Sequence, residues 1–261
     1  MIRVLFFPDI VGRPGRTAVK RYLSEKRDEL KPDLVIADAD NLASGRGPTI
    51  KTADEMLDDG IDVLTCGDHI WDQNEITDYL NNKDSKLLRP INYPKSSPGR
   101  GSLSFEVKGQ KVLIISALGR VFTSEGLDNP FEVISEEIKS AKEKIIIVDF
   151  HAEATSEKVA LGFFLAGKVS AVIGTHTHVQ TSDERILKDH TAYISDSGSC
   201  APYDSVIGVK AEQSIKRFTS GMPVKFDLAE GPTQVDAVLL EIDEKTGQAK
   251  SIKRIKEIFD N

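Results

Sequence analysis

The sequence has little with which to staple itself together. It holds two cysteines, Cys66 and Cys200, and no CxxC pair. That excludes a disulfide framework and fits thiols kept reduced in the cytoplasm, the expected compartment. No apolar run approaches the roughly 20 residues of a membrane span. The apolar start Met1–Phe7 stops at Pro8-Asp9, too short for a signal core. There is no basic excess either, with 34 Lys and Arg against 41 Asp and Glu and a net charge of −7. Extensive nucleic-acid binding works by neutralising many phosphates and is therefore not expected. A small phosphate ester stays open, because bound metal ions can outweigh a modestly negative surface. No internal repeat, low-complexity tract or linker divides the chain, so the expectation is a single domain over residues 1–261.

What is present is a series of short apolar runs: Val4–Phe7, Leu34–Ala37, Val63–Cys66, Val112–Ser116, Ile145–Phe150 and Ala171–Gly174. Strand-length runs of this kind suit strands buried on both faces. Polar, helix-like stretches alternate with them, at Gly15–Leu30, Thr49–Gly60, Asp72–Asn81 and Ser135–Glu143, the last with Ser135 as its cap. The last third reads as strands, at Ala192–Ile194, Val224–Leu228, Val235–Ile242 and Ala249–Ile258, with a hairpin turn at Asp243–Gly247. Leu240 and Ile242 break the apolar alternation of Val235, Ala237 and Leu239. The pattern predicts an α/β fold with two packed sheets.

Chemistry collects where the runs end. Asp9 follows the first, Asp38, Asp40 and Asn41 the second, Asp68 and His69 the third, His151 the fifth, and His176 and His178 the sixth. Ligand sites of open α/β sheets lie outside the carboxyl ends of the strands. Taken singly, each residue has a plain reading. Asp9 or Asp68 would cap a helix, Asp38 or Asp40 would serve a turn, and His151 would be a buried, satisfied histidine. Together they form a set of acids and imidazoles too large for one ion. That mixture suits iron, manganese or zinc rather than calcium, and two ions can clamp the oxygens of a phosphoryl displacement. Arg13 and Arg16 are candidates for substrate phosphate, and Asp72 for orienting His69.

Five stretches carry a resemblance: Asp9–Arg16, Gly67–Asp72, Asp149–Lys158, Gly174–Thr181 and Pro202–Asp204. Over essentially its whole length the chain resembles the YmdB family of bacterial calcineurin-like metallophosphoesterases. The resemblance implies a four-layer α/β/β/α sandwich of two mixed sheets and a dinuclear, divalent or mixed-valence centre, iron or manganese before zinc. It implies a phosphodiesterase acting on small nucleotides, 2′,3′-cyclic nucleotides among them. By position, one ion falls to Asp9, Asp40, Asn41 and His178, and the other to Asp40, Asp68, His151 and His176, with Asp40 between them. Attack by a hydroxide bridging the ions would then be completed by His69 protonating the leaving oxygen. Two ligand positions depart from the family, Asp40 standing where Glu is usual and Asp68 where Asn is usual. Pro8 also replaces a usual Gly, and Ala39 the usual residue before the bridge. The alternative expectation is accordingly a metal-binding regulatory or scaffold protein with weak or lost catalysis. A homo-oligomer is compatible with either. A barrel amidohydrolase is not, because the β-rich final third does not supply eight βα units.

Overall fold

The computed structural model describes residues 1–123 and 126–260. The chain begins β1 (Ile2–Phe7), α1 (Gly12–Leu30), β2 (Leu34–Asp38), α2 (Ile50–Asp58), β3 (Val63–Thr65), a 3₁₀ turn (Asp68–Trp71) and α3 (Ile76–Asn81). The middle runs β4 (Ser102–Val107), β5 (Gln110–Leu118), α4 (Pro130–Ser140), β6 (Ile145–His151), α5 (Thr155–Leu165) and β7 (Ala171–Thr175). It closes with β8 (Arg185–Leu187), β9 (Thr191–Ile194), β10 (Cys200–Pro202), α6 (Ala211–Ser220), β11 (Thr233–Ile242) and β12 (Ala249–Phe259).

Two mixed sheets result. One runs β10-β11-β1-β2-β3, with β12 also paired to β11, and the other runs β4-β5-β6-β7-β9-β8. Alternate residues of the same strand feed different cores, which explains the uninterrupted apolar runs. In β1, Val4 and Phe6 face the second sheet beside Ile114, Ile147 and Ile173. Leu5 and Phe7 face α1 and α2 beside Val19, Tyr22 and Met56. The outer face of the second sheet, with Ile115, Val148 and Phe150, packs on Ile134 of α4 and on Leu161 and Leu165 of α5. Helix, sheet, sheet and helix stack as the expected four layers. Among the described residues, no helix is long and apolar enough to cross a membrane.

The structure corrects several expectations of detail. The broken alternation in β11 is two complete stripes. Val235 and Ala237 enter the helix-side core, whereas Val238, Leu240 and Ile242 enter the core between the sheets. Val224–Leu228 is not a strand and makes only an isolated bridge, Val209 to Leu228. Helix α4 starts five residues before Ser135, where the Asn129 side chain accepts from the Phe131 N–H and Pro130 opens the first turn. Asp72 precedes α3 and caps the 3₁₀ turn. Asp9 caps nothing, since α1 starts after Val11 without a side-chain cap. Helices α5 and α6 and strands β4, β8 and β10 have no counterpart among the elements expected from the sequence.

Candidate metal centre

The site straddles the two sheets. Strands β1, β2 and β3 deliver Asp9, Asp38, Asp40, Asn41 and Asp68 from one, while β6 and β7 deliver His151, His176 and His178 from the other. The expected single sheet edge is thus a seam between two edges. Gly67 lets the halves meet, because a Cβ there would stand 2.2 Å from the His151 ring.

His151 is the hub. Its Nε2 lies 3.4 Å from Asp68 Oδ1, 3.5 Å from Asp40 Oδ2 and 3.0 Å from Nδ1 of His176. Asp68, His151 and His176 thus offer converging ligand atoms at the spacing of a cation site. On the other flank, Nε2 of His178 lies 3.6 Å from Asp9 Oδ1. Asn41 lines the same cavity as Asp40 and His178. All seven residues expected as ligands come together in this region.

The hydrogen bonding is informative for what it omits. Asp9 Oδ1, Asp40 Oδ2, Asn41 Oδ1, Asp68 Oδ1 and His178 Nδ1 are buried atoms without a hydrogen-bond partner. Buried polar atoms are ordinarily satisfied, and five orphans in one region are what a ligand set presents before a cation. The opposite oxygen of Asp40 is fully used, accepting from the Gly67 N–H at 2.8 Å, the His69 N–H at 3.0 Å and the Cys66 thiol at 3.3 Å. That grip fixes the orphan Oδ2 toward His151. The backbone is strained at three of these residues, with positive φ at Asp9 (25°), His176 (98°) and His178 (62°). Such conformations persist only where surrounding structure holds them, and they concentrate at functional sites.

Charge agrees with geometry. Asp9, Asp38, Asp40 and Asp149 are buried together. Burial pushes the carboxyl of Asp38 well above the usual range, with the Asp9 charge adding to it. Burial likewise raises Asp149, to about 6. Burial opposes a charged His151, yet Asp40 and Asp38 outweigh it and drive that imidazole far upward. Burial also opposes ionised Asp68, but the His151 ring, whose Nε2 stands 3.4 Å from Asp68 Oδ1, holds its carboxyl low. Burial and the neighbouring His151 lower His176. Carboxylates crowded at low dielectric need counter-charge, and two divalent cations would supply it. The donor set of carboxylates, imidazoles and one amide oxygen fits such ions.

Around this core the structure gives roles to residues that the sequence pattern leaves without one. Asp38 reads as a turn carboxylate, but its Oδ2 accepts from His151 Nδ1 at 3.0 Å. Thr175 stands 3.1 Å from the same nitrogen and donates its hydroxyl to Asp149 at 2.8 Å. Glu153 Oε2 is 3.1 Å from His176 Nε2. Placement at a strand end was the available signal for Asp38, and only tertiary structure reveals Asp149. His69 lines the cavity, with Asp72 Oδ2 3.0 Å from its Nδ1. Arg16 is committed elsewhere, to Glu55 and the Leu42 carbonyl. The cations facing the cavity are instead Arg46, Arg217 and Lys225.

Two packed mixed sheets with a carboxylate–imidazole centre at their seam define a metallophosphoesterase, a hydrolase. The sequence model of the YmdB-like protein family matches residues 5–255, and the chain belongs to that family. It is 43% identical over 256 residues to the 2′,3′-cyclic-nucleotide 2′-phosphodiesterase of Bacillus subtilis strain 168, covering 97% of this chain and 96% of that one. The crystal structure of a novel phosphatase from Mycoplasma pneumoniae superposes with a TM-score of 0.94 at 35% identity, covering 100% of this chain and 94% of that one. A hypothetical protein from Thermus thermophilus superposes at 0.92 with 36% identity, covering 98% of this chain and 99% of that one.

Proposed function

We propose that this protein is a dinuclear phosphodiesterase acting on small nucleotides, 2′,3′-cyclic nucleotides among them. The observation that carries the reading is the set of five orphaned buried atoms on Asp9, Asp40, Asn41, Asp68 and His178. With His151 and His176 they complete the seven ligands. The activity named for the Bacillus subtilis relative supports the substrate class. Two ions of the iron or manganese type would withdraw charge from the phosphoryl oxygens and lower the pKa of an attacking water.

The protein's own groups do the rest. His69, at the cavity wall, donates a proton to the leaving alkoxide, and Asp72 holds its Nδ1 so that Nε2 is the nitrogen presented. Asp38 orients His151 from behind. Asp40 stands one methylene shorter than the usual Glu, and with Oδ1 fixed by backbone N–H groups its Oδ2, 3.5 Å from His151 Nε2, is the oxygen that would be left to hold an ion. Asp68 brings an extra negative charge beside His151 and His176, which favours retention of the cation over its Lewis acidity.

Elemental analysis of the purified protein, paired with a panel of 2′,3′-cyclic nucleotides, linear diesters and monoesters, tests this. Two metal equivalents with turnover of cyclic nucleotides is the expected result. Bound metal with no turnover of any ester would support the regulatory alternative. No metal uptake from iron, manganese or zinc would end both.

A further inference from the structure

The seam opens into a cavity of about 870 Å³ whose far wall is built by the segment around α6. That volume is near the upper end for small-ligand pockets and exceeds what a phosphate alone requires. The wall is aromatic and cationic. Phe218 is 82% exposed and Phe226 is 39% exposed, and both line the same cavity as His69 and His176. The Arg217 guanidinium lies 5.5 Å from the centre of the Phe226 ring, making a combined cation–aromatic platform. Lys225 and Arg46 also line the cavity, although the chain as a whole carries a net charge of −7. Helix α6 buries only Ser214, so nothing in the fold itself requires Phe218 to be aromatic.

Resting on the phosphodiesterase reading, we propose that Phe218 and Phe226 are the specificity-determining residues of this site, forming a stacking wall for the base of a nucleotide whose phosphate lies at the seam. Ring stacking accepts any base through its π-face. The wall therefore selects nucleotides over base-free esters without choosing among bases. Arg217 and Lys225, which line the same cavity, complement the anionic substrate. Continuity of the aromatic wall with the seam in one concave cavity favours a base as the occupant over a second copy of the chain.

The test is calorimetric titration of the full-length protein with adenosine 3′-monophosphate and with glycerol phosphate. Phe218→Ala, Phe226→Ala, their double variant and Phe218→Trp are compared with the parent. The parent should prefer the nucleotide. Each alanine should reduce the nucleotide-to-glycerol-phosphate affinity ratio by roughly tenfold, and Phe218→Trp should keep it. An unchanged ratio in the double variant, or no nucleotide preference in the parent, overturns the proposal. So does a variant that alters only the oligomeric state in sedimentation, which would make this face an interface between copies. Phe218→Ala is the decisive variant, because so exposed a ring is dispensable for folding. The readout is binding, so it stands apart from the functional reading. A preference that falls in the variants without turnover of any phosphodiester keeps the wall and sinks the phosphodiesterase.

Discussion

Nδ1 of His151 stands 3.0 Å from Oδ2 of Asp38, two buried side chains 113 positions apart in sequence and carried by different sheets. The contact fixes which ring nitrogen carries the proton and turns Nε2 toward Asp40, Asp68 and His176. Replacing Asp38 by Asn keeps the size and removes the charge. It is expected to weaken metal binding by about 10- to 100-fold, measured by competition with a chromogenic chelator. Undiminished affinity would show that Thr175 orients the ring alone.

His69 is held by Asp72 and contributes its backbone N–H, not its ring, to Asp40. His69→Ala is expected to lower kcat by about a hundred- to ten-thousand-fold while metal content stays at the parent value. Full turnover with metal retained would remove the ring from the chemistry.

Lys158 and Asp196 form a buried ion pair at 2.7 Å, and the same carboxylate oxygen accepts from the N–H and hydroxyl of Thr177, the residue between His176 and His178. Lys158→Met strands the Asp196 charge and is expected to cost about 3–5 kcal/mol in urea unfolding. Adding Asp196→Asn should recover part of the loss. Equal stability of the single and double variants would contradict the pairing.

Asp236, buried in β11, has its carboxyl raised to about 6, by burial first, against the Ser199 N–H and Lys256 that favour the charged form. The folded pKa lies above the unfolded one, so the native state binds the extra proton. This contribution is therefore complete below about pH 4 and is lost as pH rises through 6. Asp236→Asn removes that dependence. Its stability relative to the parent should improve by up to about 3 kcal/mol between about pH 4 and pH 8, read from thermal melts with chelator present. A constant difference across that range would place the carboxyl pKa near its ordinary value.

The layered fold was legible because strands buried on both faces leave uninterrupted apolar runs, as Val4–Phe7 and Ile145–Val148 do. Helix α5 was not, because its apolar residues form no polar-faced period and its Thr155–Lys158 start reads as part of a motif. Val224–Leu228 reads as a strand by composition, yet its Phe226 lines the cavity instead of pairing with a sheet. The seven ligand candidates were visible as strand-end residues. What they do with their second atoms, such as Asp40 Oδ1 on three donors, depends on contacts no local pattern carries. The same holds for Asp38, whose partner His151 becomes its neighbour only when the two sheets close.

Because the seam draws its donors from both sheets, any bound cation would act as a rivet through two plates whose main adhesive is the oily filling of Phe6, Ile114 and Ile147. Slippage of one plate on the other would be felt first as a change in bite between Asp40 and His151. Thickening or thinning that filling, far from any donor atom, would therefore move the two donor sets relative to one another.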